Sequence, residues 1–306
     1  MVAKVVKPLA RKTASSSGKP VLQSIVQAGR KALPRGWAPL LKTIAQLSPH
    51  LQNYRARIGE YDYLHVDLRQ SMCLVYFFHN GLPHERGTEV LLRKALRPGD
   101  TFIDVGANVG FYTRMGSLIV GGGGRVIAFE PMPTALRLLR MNSADLSNVT
   151  VEAKALSDHE GVAKFYIRGQ GDTSSLSPGS SAQQVQVEVT TLDNSLFREE
   201  SHVERVDFIK IDVEGLELSV LRGATNTISK HQPIVYFEFL PEYAKHLGFA
   251  FEDFAKFFNE FNYTLHWTNH DANRGEVFSA QVSNYITALP ARKRGLVSAN
   301  QLAMTI

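Results

Sequence analysis

One cysteine, Cys73, stands in 306 residues. That excludes an internal disulfide framework and any all-cysteine metal site, and it fits a reducing compartment, with the cytoplasm as the expected location. Nowhere do about 18 apolar residues run together, so no bilayer-spanning helix is expected. The ten histidines are scattered, with His246, His266 and His270 near expected strand ends, and no metal site is expected. Acidic residues are missing from the first 59 positions, where eleven of the 34 basic residues fall. The other 23 basic residues face all 29 acidic ones, so the net charge of +5 belongs to a basic leader and the body is mildly acidic.

What is present is the composition of a globular chain, 44% apolar and 21% charged. The chain is long enough to bury a full core without staples. Residues 1–20 hold lysines and arginines with a Ser15-Ser16-Ser17-Gly18 run, too little apolar surface to order itself. Val21, Leu22, Ile25 and Val26, then Leu40, Leu41, Ile44 and Leu47, recur at helical spacing and are broken by Pro34, Gly36 and Pro39. Three readings of this leader stand: an organellar transit peptide, a basic amphipathic segment in weak contact with anionic lipid, and a tail leading to cap helices that pack on the body. No firm nucleic-acid signal accompanies it.

Residues 61–83 read as a β-hairpin, with strands at 63–69 and 73–78, and 84–96 as a helix stopped by Arg97-Pro98-Gly99-Asp100. Strands are then expected at 101–105, 125–130, 149–155, 206–213, 233–239, 263–270 and 282–289. Helices at 110–120, 132–143, 216–231 and 250–260 alternate with them, as in a parallel α/β sheet. Two more β-like runs, 162–167 and 185–192, flank a Gly/Ser/Gln-rich loop at 168–184. The expected organisation is a tail with cap helices (1–60), the hairpin (61–83), one α/β domain (84–290) and a C-terminal tail (291–306).

The central signal is Asp104-Val-Gly-Ala-Asn-Val-Gly110, where an apolar strand turns at Gly106 and enters a helix after Gly110. Glycine there lets the backbone approach a ligand without a Cβ in the way. Twenty residues on, the second strand ends in Glu130, whose carboxylate can accept both hydroxyls of a ribose. Dinucleotide folds want G-x-G-x-x-G; here Asn108 takes the middle position and the third glycine is missing. Asp104, two residues before the turn, would repel a pyrophosphate but suits the ammonium of an amino acid. S-adenosyl-L-methionine (SAM) has that ammonium, a ribose and no phosphate.

Further blocks follow in order: Phe129-Glu-Pro-Met-Pro133, Ala155-Leu-Ser-Asp158, Thr173-Ser-Ser-Leu176, Thr191-Leu-Asp193, Asp207-Phe-Ile-Lys-Ile-Asp-Val-Glu-Gly215 and Val220-Leu-Arg-Gly-Ala224. With the glycine turn they resemble the FkbM family of SAM-dependent methyltransferases, over roughly residues 84–240. The resemblance implies a class I Rossmann-like methyltransferase fold: a mostly parallel seven-stranded sheet with an antiparallel last strand, a β-hairpin insertion before strand four and a helical N-terminal extension. It implies a methyl acceptor that is a hydroxyl of a sugar, glycan or secondary metabolite. It also places Ala155 and Asp158 beside the adenine, with Asp104, Gly106, Asn108, Gly110 and Glu130 holding the rest of the cofactor.

Asp212 and Glu214 end the strand at 206–213, and Glu238 ends the next. Ligands in open α/β sheets sit outside such carboxyl ends, and an alcohol proton calls for a carboxylate base within hydrogen-bond reach. Asp212, Glu238 and Glu214 are therefore the catalytic candidates. Lys210 shares side-chain parity with Asp212 on a strand covered on both faces, so a carboxylate partner is expected. Rival readings are an NAD(P)-dependent oxidoreductase, set back by the missing glycine and a missing Tyr-x-x-x-Lys pair, and a non-catalytic protein docking through its leader.

Overall fold

The computed structural model describes residues 21–32, 37–59, 62–83, 85–168, 173–175, 183–197, 203–268, 284–296 and 302–305. The first of these form helix α1 (Val21–Ala32) and helix α2 (Trp37–Leu47), then a hairpin of β1 (Tyr54–Ile58) and β2 (Asp62–Val66), then helix α3 (Ser71–His79). The cap helices pack on the body. Gln23 is buried on α1, and its amide donates to the carbonyls of Arg57 (3.1 Å) and Phe77 (2.8 Å) while accepting from the Arg57 N–H (2.7 Å).

The segment before the α/β body differs from the expected hairpin in two ways. The hairpin lies at 54–66 rather than 61–83, and the run at 73–78 is helical. A short unbroken apolar run suits a buried strand or a buried helix equally. Here Cys73, Leu74, Tyr76 and Phe77 are all buried in the helical form, and Asn80 closes α3 in the left-handed conformation at φ 57°, its N–H bonded to the Tyr76 carbonyl.

The α/β body follows as read, except that the helix expected at 216–231 is two short helices parted at Gly223-Ala224. Helix α4 (Arg86–Ala95) leads into β3 (Thr101–Val105), α5 (Phe111–Val120), β4 (Arg125–Phe129), α6 (Pro133–Ser143) and β5 (Val149–Glu152). A small second sheet intervenes, made of β6 (Ala155–Leu156), β7 (Gly161–Arg168), β8 (Thr173–Ser175) and β9 (Gln183–Thr190), and α7 (Leu192–Leu196) leads back. Then come β10 (Phe208–Ile211), α8 (Glu217–Arg222), α9 (Thr225–His231), β11 (Ile234–Glu238), α10 (Pro241–His246), α11 (Phe251–Asn259), β12 (Tyr263–Thr268) and β13 (Tyr285–Pro290). All seven expected strands stand in one sheet, with β13 antiparallel to its neighbours β11 and β12. A further strand, β14 (Leu302–Thr305), pairs with β12, so the order is β14-β12-β13-β11-β10-β3-β4-β5. The stretch expected as a C-terminal tail thus contributes an eighth, edge strand. The middle of the loop at 168–184 lies outside the described residues.

Strands covered on both faces carry two cores. Phe102, Phe208, Ile234 and Tyr236 pack on one side with α3 and α5; Ile103, Ile209, Ile211, Val235 and Phe237 pack on the other with α8 and α11. From β3 the chain winds one way through β4 and β5, and from β10 the other way through β11. The order reverses between β3 and β10, which opens a crevice beyond their carboxyl ends, the place where open α/β sheets hold ligands.

Candidate active site

The crevice is closed at its base by backbone. β3 ends at Gly106, whose φ of +74° disfavours L side chains and where a Cβ would stand 1.9 Å from the Asp212 carbonyl oxygen. Only glycine lets the loops after β3 and β10 approach so closely. The turn continues through Asn108 (φ 50°), whose N–H donates to Glu130 Oε2 at 2.8 Å. Glu130 Oε1 accepts from the Met132 N–H, also at 2.8 Å, so two backbone donors fix its carboxylate after β4. Burial pushes Glu130 up to about 7, against the pull of those donors.

Register sets the other half. Lys210 on β10 lies beside Asp104 on β3 and Tyr236 on β11, all on one face of the sheet. The Lys210 ammonium is buried 3.1 Å from Asp212 Oδ2 and 3.8 Å from Asp104 Oδ1. Burial alone would lower the lysine; the Asp212 and Asp104 carboxylates outweigh it and hold it above its ordinary value. Asp104 Oδ2 accepts from Thr113 Oγ1 at 2.6 Å, and Oδ1 has no hydrogen-bond partner. Burial raises Asp104, with Lys210 opposing.

Around this pair stand further carboxylates, of which Glu85 and Glu217 were not marked by the sequence motifs. Glu85, ahead of α4, accepts from the Tyr112 hydroxyl at 2.6 Å and is raised by burial and by Asp212. The Lys210 ammonium lies 5.2 Å from the centre of the Tyr112 ring. Glu217 Oε1 accepts from the N–H groups of Val213 and Gly215, both at 3.1 Å, and shapes the turn in which Glu214 adopts φ 52°. Burial pushes Glu217 up to about 7. Glu238 goes furthest: burial, then the charges of Asp212 and Glu217, push it up to about 9.

Gly106, Asn108, Glu130, Ala155, Asp212 and Glu214 line one cleft. Asp104 and Gly110 are not among its lining residues. Asp104 stands behind the cleft, engaged with Lys210 and Thr113, and Gly110 caps α5 at φ 91° against Leu139. Asp158 is also outside the lining and pairs with His159 at 2.8 Å, which holds it below its ordinary value. Glu238 is not a lining residue either. Lys154 also lines the cleft, its ammonium 2.6 Å from Glu188. Among the described residues no group of three or more histidine, cysteine or acidic side chains is arranged to hold a metal.

The sheet order, the reversal between β3 and β10 and the carboxylates after β4 and β10 define a class I Rossmann-like methyltransferase fold. The family model described as the methyltransferase FkbM domain matches residues 104–265, and the chain belongs to that family. Its relatives include the hexuronic acid methyltransferase AglP of Haloferax volcanii, 29% identical over 150 residues, which are 47% of this chain and 59% of the relative. The 2-O-methyltransferase NoeI of Sinorhizobium fredii is 27% identical over 160 residues, 47% of this chain and 64% of the relative. The match therefore spans less than two thirds of either protein's length. Among solved structures, the FkbM methyltransferase of Methylobacillus flagellatus superposes with a TM-score of 0.41 at 16% identity, covering 82% of this chain and 58% of that one.

Proposed function

We propose that this protein transfers a methyl group from SAM to a hydroxyl of a sugar or glycan. The observation that carries the reading is the charge of the cleft. Glu130, Asp212 and Glu214 line it, and its one lysine among the described lining residues, Lys154, is paired with Glu188. Such a surface suits a sulfonium and an ammonium and repels a pyrophosphate, which sets aside the oxidoreductase reading. When bound, SAM supplies an electrophilic methyl carbon.

The chain's own residues supply position and proton transfer. Glu130, fixed by two backbone donors, has lone pairs left to accept the ribose hydroxyls. Gly106 and Asn108 present backbone at close range, and Ala155 flanks the adenine end. Asp158 belongs to that end only if its bond to His159 opens. Asp212, oriented by Lys210, accepts the proton of the acceptor hydroxyl and aligns its oxygen for in-line attack. Glu238 holds its proton at neutral pH, and so serves as a hydrogen-bond donor rather than as the base. The sugar acceptor takes support from the two relatives, one named for a hexuronic acid and one for 2-O-methylation.

The test is transfer of labelled methyl from SAM to a panel of neutral and acidic sugars and their lipid-linked forms. Label in an ether-linked methyl on sugar oxygen supports the reading; label on nitrogen or carbon, or none with any hydroxyl acceptor while SAM binds, refutes the acceptor class.

A further inference from the structure

α1 and α2 each bury one face and expose an apolar stripe on the next. Val26, Leu41 and Ala45 are buried in the core, while Val21 (65% exposed), Ile25 (59%), Leu40 (50%), Ile44 (44%) and Leu47 (86%) face outward. The exposed residues recur at i and i+4 on α1, and at i, i+4 and i+7 on α2, one continuous side of each helix. Large apolar side chains gathered in this way on a surface mark a place that something covers.

Charge says what covers it. The first 59 residues hold eleven lysines and arginines and no acidic residue. Of these, Arg30 and Lys31 lie on α1 and Lys42 lies on α2, the two helices that carry the apolar stripes. A second copy of the chain would bring two such surfaces together, like charge against like. An anionic bilayer attracts a basic, acid-free segment and takes the apolar side chains into its interface.

We propose that the outer side of α1 and α2 is a docking surface for an anionic lipid bilayer. The surface is coupled to the cleft: Lys42 on α2 donates to Ser71 Oγ at 2.6 Å, and the residues on either side of Ser71, Gln70 and Met72, line the cleft. Met72 is itself an exposed apolar side chain. Docking through α2 therefore sets the cleft rim close to the lipid headgroups, where an acceptor carried by a lipid would be presented.

The test is co-sedimentation of the full chain with vesicles of phosphatidylcholine alone and with an added phosphatidylglycerol fraction, at low and physiological salt. Expected is binding to the anionic vesicles only. Leu40→Gln, Ile44→Gln and Leu47→Gln together should weaken that binding about tenfold, with SAM affinity and melting temperature unchanged. If that variant loses its fold, Val21→Gln with Ile25→Gln on the other helix gives the same comparison. Absence of binding to anionic vesicles at low salt overturns the proposal, as does equal binding by a folded variant. A concentration-dependent dimer that the substitutions dissolve would also overturn it, because a second copy would then be the occupant. None of these outcomes depends on methyl transfer.

Discussion

Glu130, Asp212 and Glu238 all follow strand ends on one edge of the sheet, yet their surroundings give them different work. Glu130 is pushed up to about 7 by burial, so in the free protein it gains its charge as pH rises through neutrality. Acceptance of two ribose hydroxyls needs the carboxylate. SAM affinity should therefore be about tenfold weaker at pH 6 than at pH 8. Glu130→Gln should bind weakly at both, and a pH-independent wild-type affinity would remove Glu130 from the ribose site. Glu238, pushed up to about 9, is already protonated at pH 7. Glu238→Gln should keep turnover there within about threefold and lose an alkaline limb near pH 9, where a second charge would form beside Asp212. Asp212→Asn should lower turnover by roughly 10²–10⁴ with SAM affinity little changed; the opposite pattern in these two variants would move the base to Glu238. Both residues were legible as strand-end carboxylates, and Lys210 was legible as a buried charge in need of a partner. Glu85 and Glu217 were not. Glu85 reaches the cluster only because α4 packs beside α5, which brings it to Tyr112, and no spacing within the chain encodes that contact.

Among the elements, the glycine turn is the part most fully written in the sequence, and its contact with β10 is the part that was not. Gly106 reads as a turn residue for a ligand, but the structure shows a second cause, the Asp212 carbonyl that a Cβ would strike. Gly106→Ala should cost about 2–4 kcal/mol, since it combines strain at φ +74° with an overlap against backbone. Chemical denaturation checks this, and a loss under about 0.5 kcal/mol would mean that the two loops separate freely. The seven strands of the body were legible because strand and helix alternate with clear stops. α3 was not, since its apolar residues run unbroken and fit either period, and neither was β14, whose four residues gain their meaning only from β12.

At the scale of the molecule, buried carboxylates make stability fall as pH rises. A raised carboxylate pKa means the folded state binds more protons than the unfolded one, so each such group stabilises least once pH exceeds its folded pKa. For Glu217 that window runs from its ordinary value near 4.5 up to about 7. Glu217→Gln retains an oxygen to accept from Val213 and Gly215. It should gain on the wild type by roughly 1–3 kcal/mol between pH 5 and pH 8 in paired denaturation curves. A difference that is constant across that range would show that Glu217 titrates normally.

The division of charge, a basic leader before an acidic body, was visible from composition alone. Glu130, Asp212 and Glu214 bring three of the body's carboxylates to one cleft. The proposed activity requires that cleft to accept a cationic, phosphate-free cofactor, and calorimetric titration of the full chain with SAM at pH 8, with NAD as the comparison ligand, tests this most directly. One SAM bound per chain, abolished or strongly weakened by Glu130→Gln, with no heat from NAD, is the result predicted. Binding of NAD in preference to SAM, or SAM binding that Glu130→Gln leaves intact, would contradict it.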